Sequence, residues 1–120
     1  MKSFTDIEQS KKLAEILPLE SADMWWSKNF IYYNPTAAIG ISAEYSNVYT
    51  YKFGEDDIPC WSLAALLDIL YPNITLDHTE GKGWSIIVNV NVVDTEKVIA
   101  DNPIDACYKI ILNLHEQKLL

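Results

Sequence analysis

The stretch Pro59 to Tyr71, PCWSLAALLDILY, decides the fold of this chain, because its start, its apolar face and its end can all be read. Ser62 is suited to cap a helix, since its hydroxyl can accept a hydrogen bond from a free backbone N–H in the first turn. Trp61 and Leu66 have the spacing of a hydrophobic staple. An apolar stripe at i, i+3, i+4 and i+7 consists of Leu63, Leu66, Leu67 and Leu70. The stretch therefore predicts an amphipathic helix with both Leu66 and Leu67 buried.

Two further helices are predicted near the ends of the chain. Thr5 and Glu8 fit a capping box at a helix start, and Pro18 ends that helix. Near the other end, Asn102 is a good cap and Pro103 suits the first helical position, where no backbone N–H is needed. The apolar stripe of this last helix consists of Cys107, Ile110, Ile111 and Leu114.

An aromatic region lies between the first helix and the central one, from Trp25 to Phe53. Within it, Ala37 to Tyr45 alternates between apolar side chains and small or polar ones, the period-two pattern of a half-buried strand. Asn47 to Phe53 alternates in the same way, so the two segments predict an antiparallel hairpin. Phe30 to Tyr33 is a candidate third strand.

The second half of the chain predicts another hairpin. Ile74 to Thr79 and Trp84 to Val93 are strand-like, and a glycine-containing connection, Glu80 to Gly83, joins them. Lys97 to Ala100 is a candidate further strand. These elements predict a single α+β domain, in which an antiparallel sheet of about five strands in two hairpins packs with three helices. The expected order is helix, two or three strands, helix, two or three strands, helix.

Composition restricts the classes of partner. The chain has 120 residues, with 17 acidic and 9 basic residues and a formal net charge of -8. Every basic residue is lysine, and arginine is the residue whose planar fork reads phosphate and guanine, so no nucleic-acid partner is expected. No apolar run of about 18 residues and no signal-peptide pattern occurs, which predicts a cytoplasmic protein that does not bind membranes. Cys60 and Cys107 are expected to be reduced and buried.

Residue types that carry chemistry are present without a catalytic pattern. Cys60 precedes a helix start, where the helix dipole lowers a thiol pKa, and His78 or His115 are the candidate bases for a thiol nucleophile. A packed thiol is the alternative. His78 has acidic neighbours, yet their side chains are split between the two faces of a strand, so no metal site is expected. The glycines do not form a phosphate-binding loop. The sequence predicts no catalytic residue, no metal and no cofactor.

Several motifs carry a family resemblance. They are Ala64-Ala65-Leu66-Leu67, the strand start Gly83-Trp84, and the helix start Asn102-Pro103-Ile104-Asp105-Ala106-Cys107. Through them, Pro59 to Leu114 resembles the phage-type ABA sandwich domains, small α+β proteins of unknown function. Over the whole length, three segments also resemble short proteins carried on mobile elements and prophages of gut bacteria: EILPLESADM (Glu15 to Met24), PCWSLAALLDIL and DNPIDAC. The resemblance implies no catalytic residue.

The most direct functional interpretation is a small, non-enzymatic interaction module that binds a protein partner or itself. Exposed aromatic side chains on a hairpin provide contact area, and a homodimer between Trp25 and Phe53 is the simplest way to bury them. The candidate interface residues are Trp25, Trp26, Tyr45, Tyr49 and Tyr51. The alternative for these aromatics is a place in the core. Two alternative functions are an acidic inhibitor or nucleic-acid mimic that acts on a host defence enzyme, and a thiol enzyme centred on Cys60.

Overall fold

The computed structural model describes residues 2–27, 30–33, 57–90 and 94–120. In chain order, these residues form α1 (Ile7–Ala14), β1 (Met24–Ser27), β2 (Phe30–Tyr33), β3 (Ile58–Cys60), α2 (Leu63–Leu70), β4 (Ile74–Thr79), β5 (Gly83–Asn89), β6 (Thr95–Ala100) and α3 (Pro103–Glu116). A short 3-10 helix spans Leu19–Ser21. The α+β class predicted from the sequence is confirmed. Within these ranges, no helix is long and apolar enough to cross a membrane.

The described strands form two antiparallel three-stranded sheets, in the orders β2-β1-β3 and β4-β5-β6. This differs from the expected arrangement of about five strands in one sheet. β2 and β6 lie where the sequence predicted additional strands. β1 and β3 were not predicted, because strands of four and three residues are too short to display alternation, and β3 contains Pro59. The hairpin expected from Ala37 to Phe53 lies outside the described residues.

The central helix α2 begins as predicted. The Ser62 hydroxyl accepts a hydrogen bond from the backbone N–H of Ala65 at 3.2 Å. Leu66 is fully buried and Leu70 is nearly so, which confirms the core side of the stripe. Leu67 is only half-buried, contrary to the prediction. The apolar stripe of α2 is wider than the part of the core that the helix covers. Leu67 therefore lies at the margin of the core and borders a surface groove.

The start of α1 lies one residue later than the sequence predicted. Asp6 caps the helix and forms a capping box with Gln9. Thr5, the predicted cap, is fully buried and makes other bonds. Its hydroxyl accepts from the backbone N–H of Trp61 at 3.1 Å and lies 2.8 Å from the hydroxyl of Ser10. A contact with a residue distant in sequence therefore displaces a local capping signal.

One face of the second sheet packs against the helices. α3 contacts β5 and β6, and it also contacts α2. Asn102 caps α3, and Pro103 occupies its first turn, as predicted. All four stripe residues of α3 are buried: Cys107, Ile110, Ile111 and Leu114. The core face of the sheet contributes Ile86, Val88, Val98 and Ala100. The opposite face carries residues such as the exposed Ile99, and α2 lies beside β4 along the margin of this core.

Candidate functional site

The predicted interface residues fall partly outside the described residues. Trp25 is buried in β1, with 5% of its surface exposed. Trp26 is half-buried; its indole N–H donates to the backbone oxygen of Thr5 at 3.0 Å, and its ring packs edge-on against Phe4. The other three predicted interface residues lie outside the described residues: Tyr45, Tyr49 and Tyr51. The aromatic interface as a whole stays a prediction.

The two thiols are placed as packing residues. Cys60 is fully buried, and its sulfur lies 3.4 Å from the Thr5 hydroxyl and 3.3 Å from the Thr5 backbone oxygen. Burial raises the pKa of the Cys60 thiol, although hydrogen bonds from Thr5 and Ser10 oppose the rise. Burial alone raises the pKa of Cys107 to about 12. Both thiols are therefore protonated near neutral pH, whereas a nucleophile requires the thiolate.

The two histidines lie on the surface. His78 is exposed on β4, and its ring stacks on that of Trp84, with the ring centroids 4.5 Å apart. His115 is exposed in the last turn of α3. Within the described residues, no cluster of three or more His, Cys, Asp and Glu side chains is arranged to hold a metal ion.

A polar network ties the N-terminal segment to the start of α3. The carboxylate of Asp105 accepts from Lys2 Nζ at 3.0 Å, from Gln9 Nε2 at 2.7 Å and from Asn102 Nδ2 at 2.8 Å. Burial acts to raise the pKa of Asp105, but the hydrogen bonds from Gln9, Lys2 and Asn102 outweigh it and lower the pKa below its ordinary value. Both carboxylate oxygens are thus occupied by the protein's own donors, which is the pattern of a structural anchor.

A surface groove lies between α2 and β4. It has a volume of about 340 Å³ and is lined by Ala64, Leu67, Asp68, Tyr71, Ile74 and Leu76. The helix contributes residues from successive turns on its outward side, and the strand contributes two side chains that alternate onto the core face. Tyr71 directly follows α2 and leaves 73% of its surface exposed. The groove therefore has an apolar floor and an exposed aromatic wall.

One long side of this groove is the outer edge of β4, with which no described strand pairs. Asn89 donates its backbone N–H to the oxygen of Asn73 at 2.9 Å, so these two residues form a hydrogen-bonded pair of the β4–β5 ladder. Such pairs alternate along an antiparallel ladder. The backbone groups of Ile74 and Leu76 therefore point away from β5, toward the groove. In the part of the chain that the structure describes, no strand pairs with this edge of β4.

Acidic groups border the groove. Asp68 is exposed and is the one charged residue among the described residues that line it. A neighbouring cleft shares Asp68 and Ala64 with the groove and adds Glu20 and Asp23. The Asp23 carboxylate accepts from the backbone N–H of Ser62 at 2.9 Å and also from its hydroxyl. The potential along the α2 side of the groove is therefore negative.

Sequence reasoning missed this groove because it assigned Leu67 to the core and treated Ile74 to Thr79 as an ordinary hairpin strand. One signal was available. Tyr71 is a large aromatic side chain placed after the last turn of α2, seven residues beyond the exposed Ala64 and therefore on the same outward side. Aromatic side chains are enriched in protein interfaces, so an aromatic residue outside the buried stripe is a candidate contact residue.

No protein-family model, no curated protein and no solved structure matches this chain.

Proposed function

We propose that this chain is a non-enzymatic interaction module that binds another polypeptide through the groove between α2 and β4. The observation that carries the proposal is the combination, in one groove, of an apolar floor and a backbone edge of β4 that pairs with no strand among the described residues. Tyr71 adds an exposed aromatic ring, a type of residue that is enriched at the centres of protein interfaces.

A polypeptide suits this groove better than a small molecule does. Small-molecule sites enclose most of their ligand and present a few convergent polar groups. Here the groove is open, its apolar side chains follow the length of α2 and β4, and its polar groups are the Asp68 carboxylate and the backbone donors and acceptors spaced along β4. Backbone groups in that arrangement match the backbone of another chain.

The test is a selection of random twelve-residue peptides displayed on phage, followed by binding of the enriched peptides to purified variants. Leu67→Glu places a charge on the half-buried floor of the groove. Ile99→Glu is the matched control, because Ile99 is 53% exposed and lies on the face of the β4-β5-β6 sheet that points away from the groove. The proposal expects peptides that bind the wild type and Ile99→Glu and lose about tenfold or more on Leu67→Glu. Peptides that bind all three proteins equally, or no enriched peptide at all, would contradict it.

A second copy of the chain is one candidate partner. The homodimer predicted between Trp25 and Phe53 belongs to the same proposal, since it also makes the chain an interaction module. Sedimentation at several concentrations measures the mass, and Tyr49→Glu with Tyr51→Glu is expected to return a folded monomer. A wild type that stays monomeric at about 100 μM, well above typical dissociation constants of stable dimers, removes self-association from the proposal.

The origin of the module in phages or other mobile elements remains part of this proposal, as does its place among the phage-type ABA sandwich domains. The acidic-inhibitor alternative rests on the net charge of -8 and on the acidic residues beside α2. It predicts a partner with a basic surface, which the peptide selection also reports through the charge of the enriched sequences.

A further inference from the structure

We infer that the partner of this groove is an extended segment that adds to the sheet as a strand beside β4, with two apolar residues two positions apart and a lysine or arginine within two positions of this pair. The inference rests on the proposed function and specifies the chemistry of the partner. It is carried by three observations: the direction of the backbone groups of β4, the side to which its apolar residues point, and the charges at the groove.

The backbone edge selects an extended partner. Ile74 and Leu76 each direct one N–H and one C=O outward, so an antiparallel strand placed beside them can exchange up to four hydrogen bonds. A helical partner satisfies its own backbone groups internally and would leave these four groups without protein partners. Addition of a strand to an open sheet edge is a recurring mode of peptide recognition.

The side chains of such a strand fall into register with the groove. Residues directly opposite one another on antiparallel strands point to the same face of the sheet. Ile74 and Leu76 point to the core face, on the side where Leu67 and Tyr71 line the groove. The two partner residues opposite them would therefore enter the groove, and the residue between them would face outward beside Thr75. This predicts the pattern apolar, any residue, apolar.

The open part of the edge is short. The next outward N–H along β4 belongs to His78, and it already donates to the Asp77 carboxylate at 3.0 Å. Strand addition therefore ends at Leu76, and the partner contributes about four or five residues at about 3.3 Å each. The stretch Ile74 to Leu76 carries no charge, and the first charged residue of β4 is Asp77, beyond the open part of the edge. Charges on an edge strand discourage pairing, so the uncharged stretch Ile74 to Leu76 permits it.

Charge complementarity completes the description of the partner. Asp68 borders the groove and makes no ion pair with another described residue, and the whole chain carries a net charge of -8. An acidic strand would be repelled both locally and at long range. A lysine or arginine flanking the apolar pair can approach Asp68 from the solvent side.

The experiment uses the intact chain, labelled with ¹⁵N, and four synthetic peptides. The parent is acetyl-Lys-Thr-Val-Thr-Val-Thr-Lys-amide. The second has the same composition with the two valines adjacent, so that only one can enter the groove. The third carries an N-methyl group on both valines, which removes the donors that face β4. The fourth carries one N-methyl group on the threonine between the valines, whose N–H faces away, and is the matched control.

The parent and the control peptide are expected to bind with dissociation constants within about twofold of each other, while the other two peptides bind about tenfold more weakly. Amide exchange at Ile74 and Leu76 is expected to slow on binding of the parent. The inference is overturned if the valine-methylated peptide binds as tightly as the parent, or if the parent does not bind at about 1 mM. If displayed peptides of another pattern still depend on Leu67, the proposed function stands without it. If no peptide depends on Leu67, both fail.

Discussion

Two glycines of one hairpin offer a sharp test of the packing between β5 and β6. Gly81 and Gly83 both have positive φ, +77° and +83°. A Cβ at Gly83 would lie 2.6 Å from the backbone oxygen of Ala100, whereas a Cβ at Gly81 would meet nothing within 4 Å. Alanine at the two positions therefore shares the same backbone strain and differs in one contact with β6.

The expected losses follow from that difference. A positive φ at an alanine costs about 1 kcal/mol, and this is the whole effect expected for Gly81→Ala. Carbon and oxygen in weak contact lie about 3.3 Å apart, so Gly83→Ala also requires β5 and β6 to separate by about 0.7 Å. Forcing extra atoms into a packed site costs about 1 to 3 kcal/mol, which brings the total for Gly83→Ala to about 2 to 4 kcal/mol.

Urea denaturation followed by tryptophan fluorescence measures both variants against the wild type, with the comparison restricted to curves of equal slope. The result that refutes the reasoning is a loss at Gly83→Ala no larger than that at Gly81→Ala. That outcome would mean that β6 can move away from β5 without lowering the free energy of unfolding, or that the strands are not held in the register that pairs Trp84 with Ala100.

Three further predictions concern stability. Leu66→Ala should cost about 2 to 5 kcal/mol and Leu67→Ala about 1 kcal/mol in the same urea assay, because the first leaves a core cavity and the second removes a half-buried side chain; equal losses would contradict the placement of the stripe. Lys118 follows α3 with φ of 59°, a left-handed cap position, so Lys118→Gly should raise the free energy of unfolding by about 0.5 to 1 kcal/mol, and an unchanged midpoint would count against it. Because the folded-state pKa of Asp105 lies below 3.8, its carboxylate stabilises the fold above that pH, and this contribution is lost as the pH falls through the folded pKa. Asp105→Asn should therefore cost about 1 to 2 kcal/mol at pH 7 and progressively less as the pH falls through the folded pKa, and a loss independent of pH would contradict the assignment.

The groove itself could be predicted only in part. The existence of β4 and the exposure of a tyrosine after α2 are readable, since they depend on alternation and on helical spacing. That Ile74 and Leu76 direct their backbone groups outward depends on which residues of β5 pair with them, and hairpin register is set by turn geometry and burial together. The negative margin likewise depends on the approach of the segment containing Glu20 to α2.

Local signals in the sequence were sufficient for α2, α3 and the buried face of β5. A cap such as Ser62 or Asn102 acts on a backbone group three residues away. An apolar stripe or an alternation of apolar and polar residues likewise repeats within a few residues. Each signal can therefore be recognised from the sequence of its own segment. Composition likewise determined the net charge and the absence of arginine.

Only the tertiary structure decided the features that depend on contacts between distant segments. β3 lies 30 residues beyond β1 in sequence and becomes a strand by pairing with it. The backbone N–H of Trp61 donates a hydrogen bond to the hydroxyl of Thr5, and Asp6 caps α1 in place of Thr5. Leu67 belongs to the same apolar stripe as Leu66 but lies at the edge of the core. The burial of a side chain depends on which distant segments pack over it. The free energy gained by that burial therefore arises only when those segments come together, and the helix sequence alone does not determine it.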